Sequence, residues 1–108
     1  MVDVNIEYVR GILFVKLEGN LNVENTKEIK SRLENIIKLG GIRYISFNIV
    51  DSVIEERIDL FDKCNILIKK NNGKMFICGL KTKSELIVNS SCDDFKKVKN
   101  ELAVLKIV

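Results

Sequence analysis

A chain of 108 residues of which 46% are hydrophobic is long enough to bury one core without disulfide support. Its 18 basic and 15 acidic residues leave a formal charge of +3 and are interspersed, so no run of lysine and arginine marks a nucleic-acid-binding surface. No histidine is present, and Cys64, Cys78 and Cys92 lie far apart, which removes support for a nucleophilic triad or a zinc site and leaves three buried or incidental thiols.

The amino terminus, MVDVNIEYVRG, lacks the basic-then-apolar block of a signal peptide, and no apolar run approaches the roughly 20 residues of a membrane span. A cytoplasmic protein without membrane insertion is therefore expected. Val2, Val4, Ile6 and Tyr8 alternate with polar residues at the period of a strand, and Arg10-Gly11 turns the chain into a second strand, ILFVKLEG. These two elements predict an antiparallel hairpin. After Gly19, the residues Ile29, Leu33, Ile36 and Ile37 recur at helical spacing, Asn25 with Glu28 resembles a cap, and Gly40-Gly41 is a helix stop.

IRYISFNIV then reads as a strand well inside a sheet. The following stretch, DSVIEERIDLF, predicts a helix that starts at Asp51-Ser52. Ser52 and Glu55 have capping-box spacing, and Ile54, Ile58, Phe61 and Ile68 form one stripe, broadened by Val53, Leu60, Cys64 and Leu67. KKNNG ends that helix before the strand KMFICGL, and the alternation of strands and helices implies neighbouring parallel strands. Beyond Leu80, KTKSE reads as a polar connection or one helical turn and LIV as an edge strand. NSSCDDFKKVKNEL opens a last helix, with Ser91 and Asp94 at capping-box spacing and an apolar seam of Phe95, Val98, Leu102 and Leu105. Residues 1–108 are expected to form one domain.

This succession, with LEGNLNVENTKEI, IRYISFNIVD and NNGKMFICGL, resembles the STAS domain of bacterial anti-sigma factor antagonists and of sulfate-transporter cytoplasmic domains. The likeness covers roughly residues 2 to 80, and its clearest local match is Gly19-Asn20-Leu21-Asn22, where the family usually has Gly-x-Leu-Asp. The resemblance implies an α/β fold: a mixed sheet of four to five strands with an N-terminal β-hairpin and helices packed against it. It also implies a partner, an anti-sigma factor or related regulatory kinase, and a serine in a motif like Asp-Ser-Ser-Gly at the amino end of the helix after the third strand. That motif is not intact here.

Two registers stay open at this junction. Ser52 fits a phosphosite whose phosphate would meet a helix amino terminus, and it equally fits a plain cap, for which Ser52→Ala would cost about 0.5–2 kcal/mol and Ser52→Asp little. Alternatively, Glu55 or Glu56 stands where the serine is expected, or both are simply acidic residues suited to a helix's first turn. The partner-binding candidates are Asn22, Asn25, Asp51, Ser52, Glu55 and Glu56, with no catalytic residue, metal or cofactor assigned. The leading reading is a non-catalytic interaction module of the antagonist type. The alternatives are a STAS scaffold or accessory subunit without phosphoregulation, able to form homo-oligomers through the last apolar seam, and a domain that binds a small ligand or nucleotide at the strand-to-helix loops.

Overall fold

The computed structural model describes residues 2–89 and 94–108. Strand β1 (Asp3–Val9) and strand β2 (Ile12–Leu21) pair antiparallel, with Val9 opposite Ile12. Arg10 and Gly11, which join them, both have positive φ (52° and 81°), the two-residue turn geometry that matches strand twist. Helix α1 (Val23–Gly40) follows, then β3 (Tyr44–Asn48), β4 (Ser52–Ile54), α2 (Leu60–Lys70), β5 (Lys74–Cys78), α3 (Thr82–Asn89), β6 (Lys96–Val98) and α4 (Glu101–Ile107). The continuous sheet order is β1-β2-β3-β5-β6, with β2, β3, β5 and β6 parallel. The expected mixed sheet with its N-terminal hairpin is therefore present, and β4 is an addition, pairing only with the last three residues of β2.

The two faces of the sheet have different covers. Leu13, Val15 and Leu17 of β2, Ile45 and Phe47 of β3, and Met75 and Ile77 of β5 point to one side, where they pack against Ile29, Leu33 and Ile37 of α1 and Phe61, Cys64 and Ile68 of α2. Phe47 and Phe61 meet edge to face with centroids 4.9 Å apart, the favoured arrangement for an aromatic pair. On the opposite face Ile12, Phe76 and Val104 form a smaller cluster, through which α4 covers part of the sheet. The chain leaves β5 at Gly79, where φ is 87° and an added Cβ would lie 2.4 Å from the backbone nitrogen of Val50. Only glycine permits that approach.

Two sequence expectations are corrected. The helix predicted from Asp51-Ser52 does not start there: Ser52–Ile54 is strand β4, and the helix begins at Leu60. Ser52 and Ile54 are buried while Val53 between them is exposed, a two-residue period that the neighbouring capping signals obscured. Toward the carboxyl end, LIV lies inside α3 rather than in an edge strand, and Lys96–Val98 adds a strand before a shorter last helix capped by Asn100, whose side chain accepts from Ala103 N. The proposed Ser91 cap falls outside the described residues. The expected apolar seam is divided, since Phe95 joins the main core and Val98 and Leu105 the smaller cluster, while Leu102 is exposed.

Candidate functional site

The carboxyl ends of β2 and β4 and the amino ends of α1 and α2 meet at one end of the sheet. Asn22 is the N-cap of α1: its side chain accepts from Asn25 N at 2.8 Å, and the Asn25 side chain accepts from Asn22 N at 2.9 Å. This reciprocal box satisfies two backbone donors that a helix start leaves open. Asn25 also donates to Asn20 O at 2.6 Å, and buried Thr26 donates to Asn22 O at 2.6 Å. The sequence pattern had placed a cap at Asn25; the cap is Asn22, with Asn25 as its partner three residues on.

Glu56 reaches this helix from the loop between β4 and α2. Its Oε1 accepts from Val23 N at 3.1 Å, so a carboxylate from elsewhere in the chain sits at the positive end of α1. Lys30 and Asp59 close the same gap two helical turns further along α1, with 3.1 Å between Nζ and Oδ2. Between them runs an open cleft of about 870 Å³, whose lining includes Asn22, Lys27, Lys30, Glu56, Arg57 and Asp62. A smaller hollow of about 410 Å³ lies beside it, between Asn20–Asn22 and the residues Val53, Glu55 and Glu56.

The structure thus brings Asn22, Asn25, Glu55 and Glu56 together, and treats the other two candidates differently. Asp51 is exposed at the turn between β3 and β4, 3.8 Å from Lys16 Nζ, which also lies 3.4 Å from Glu18. Ser52 is only 3% exposed, and its hydroxyl donates to Leu17 O. That hydroxyl faces the interior and caps no helix. The amino end of α2, where the resemblance puts a phosphorylatable serine, runs Arg57-Ile58-Asp59-Leu60, and no serine, threonine or tyrosine occurs between Ser52 and Thr82. Sequence reasoning missed Val23, 55% exposed beside the cleft, Val53, 40% exposed beside the hollow, and the Lys30–Asp59 pair. The signal for Val53 was its alternation with Ser52 and Ile54; nothing in spacing announced the ion pair.

The groups gathered here offer carboxylates, amides and exposed valines, the makings of a binding face. Among the described residues no three side chains cluster as metal ligands. Burial, with Glu34 as a lesser contributor, pushes the Cys64 thiol up to about 12, and burial followed by Glu101 raises that of Cys78, so neither thiol is poised as a nucleophile. No helix among the described residues is long and apolar enough to cross a membrane.

No protein-family model matches this chain. No curated protein sequence matches it either. Solved structures do match. The anti-sigma factor antagonist SpoIIAA in its unphosphorylated form superposes with a TM-score of 0.78 over 97% of each chain at 14% identity. A variant of RsbS from Moorella thermoacetica gives 0.80 over 96% of this chain and 92% of its own, also at 14% identity. An anti-sigma factor antagonist from Mycobacterium paratuberculosis gives 0.72 over 100% of this chain and 94% of its own at 8% identity. This chain has the STAS fold, the fold shared by these anti-sigma factor antagonist structures.

Proposed function

We propose that this chain is a non-catalytic interaction module of the anti-sigma factor antagonist type, which binds an anti-sigma factor or related regulatory kinase in the cytoplasm. The binding face comprises Asn22, Asn25, Glu55 and Glu56 with the exposed valines Val23 and Val53. The observation that carries this reading is the Glu56 to Val23 N bond, which joins the loop before α2 to the start of α1 and makes one continuous surface from two distant segments. Apolar side chains ringed by polar groups are the composition of a protein-binding patch. The absence of a pairing between nucleophile and base in the same place favours recognition over turnover.

A second reading concerns regulation. With Ser52 buried and no hydroxyl residue between it and Thr82, binding is not switched by phosphate at the start of α2. The face is then permanently competent, its acidic character set by Glu55 and Glu56. Affinity purification from the source cell, followed by binding measurements with the identified regulator as a purified protein, tests both readings. Glu55→Lys with Glu56→Lys should weaken that binding at least tenfold, and phosphorylation should be missing from residues 52–70. A retained small molecule with no regulator would instead support the ligand-binding alternative, and a regulator bound equally by the double variant would refute the proposed face.

A further inference from the structure

The end of the sheet opposite the candidate site gathers positive charge that the sequence disperses. The pairing of Ile12 with Tyr44, and of Tyr44 with Lys74, sets the starts of β2, β3 and β5 level with one another. Arg10 in the hairpin turn, Arg43 before β3 and Lys74 at the start of β5 therefore share one end. The helices α1 and α2 finish at the same end, bringing Lys38, Lys69 and Lys70. All six are exposed. Backbone and side-chain bonds tie the entries to β3 and β5 together: Lys74 N donates to Arg43 O at 2.9 Å, Asn71 Nδ2 to Ile42 O at 2.8 Å, and Arg43 to Asn72 O at 3.4 Å.

Lysines at helix carboxyl ends have an ordinary explanation, since they complement the helix dipole. That explanation falls short in amount: two helix ends carry together roughly one negative charge, and Asp94, 3.4 Å from Lys69, adds another, which among the described residues leaves about four of the six positive charges over. It also does not apply to Arg10 or Lys74, which are in a turn and a strand. Nor does it explain the apolar side chains among them. Leu39, next to Lys38, is 89% exposed, and Tyr8, two residues before Arg10, is 61% exposed.

We propose that this basic end adsorbs to an anionic phospholipid surface. The cations come from separate elements that end or begin at one end of the molecule, so a plane of negative charge can meet several of them together without a shaped complementary groove. Leucine and tyrosine side chains beside lysines are suited to the boundary between headgroups and acyl chains, where the apolar part sinks and the charged tips stay hydrated. Adsorption at this end leaves the Asn22 and Glu56 face, at the far end of the strands, directed away from the lipid. The inference does not depend on what that face binds.

Cosedimentation with vesicles tests it, using the full chain at about 0.1 M salt, where charges within roughly 10 Å still act. The chain should pellet with phosphatidylcholine vesicles containing about a third phosphatidylglycerol and stay in solution with phosphatidylcholine alone. Lys38→Gln with Lys70→Gln should weaken binding about thirtyfold, given the contribution expected of each surface cation. Lys38→Arg with Lys70→Arg should restore it, and Lys63→Gln with Lys83→Gln, which removes the same charge elsewhere, should leave it intact. Unfolding curves of the glutamine variants separate lost adsorption from lost fold. Equal pelleting on neutral vesicles, no pelleting on either, an equal loss in the Lys63/Lys83 control, or tighter binding to duplex DNA in the same buffer would each overturn the proposal.

Discussion

Replacing Ser52 by aspartate should unfold the β4 edge rather than imitate a phosphorylated switch. The pairing of β2 with β3 ends at Lys16, and its pairing with β4 resumes at Gly19, so Leu17 O lies in the gap between two ladders. The Ser52 hydroxyl donates to that oxygen. Ser52→Ala removes the donor and leaves a buried carbonyl unsatisfied, at a cost of about 1–3 kcal/mol. Ser52→Asp is worse: at neutral pH it offers no proton to Leu17 O and puts a carboxylate where the residue is 3% exposed, which calls for about 3–5 kcal/mol by analogy with an uncompensated buried charge. Ser52→Thr keeps the hydroxyl and should fall between wild type and alanine. Denaturant unfolding followed by circular dichroism, with the slope held common to all variants, reads the differences. A Ser52→Asp variant as stable as wild type would show that the residue is an exposed helix cap after all, and the burial argument would fail.

Glu56→Ala should lower stability by less than about 1 kcal/mol, because it removes an exposed carboxylate from one helix start, yet it should weaken regulator binding far more than that loss suggests. Gly79→Ala should cost about 2 kcal/mol or more in urea unfolding, since both the positive φ and the 2.4 Å approach to Val50 N oppose a methyl group; a neutral result would mean that this turn relaxes freely. Cys64 should resist alkylation at pH 8 until the chain unfolds. Its folded pKa is raised from 9.0 to about 12, so the stability held below pH 9 should decline as pH rises toward 12, by at most about 1.4 kcal/mol per unit from this group. Unfolding midpoints between pH 8 and 11 check the sign, and a midpoint that rises with pH would contradict it.

Much of the architecture was legible because each signal had one physical reading. Arg10-Gly11 between two alternating runs makes a hairpin, and Gly41, at φ 59°, ends α1 where the pattern placed the stop. Residues 51–61 were ambiguous for a definite reason. Ile54, Ile58 and Phe61 are all buried, as a helical stripe requires, although the first belongs to a strand, the second to a loop and only the third to a helix. Hydrophobic spacing reports that a side chain is inside, not the backbone that brought it there. Asn22 and Asn25 were identified as binding candidates by position in the chain, but their reciprocal bonding, and the reach of Glu56 across 33 residues to Val23, depend on tertiary approach that no local pattern encodes.

The brief pairing of β4 with β2 has a consequence for motion and for divergence. Three residues at the tip of one long strand hold the segment that leads into Glu55 and Glu56, whereas β3 is paired on both sides over its length and β5 is paired along its length with β3 and over Phe76–Cys78 with β6. That segment can therefore peel away as a separate opening unit, and its amides should exchange with deuterium well before those of β3 and β5. For the same reason its exposed side chains, Val53, Glu55 and Glu56, can change between relatives without shifting the register of any other strand. A face carried on such a tab can acquire a new partner while the scaffold beneath it stays unaltered.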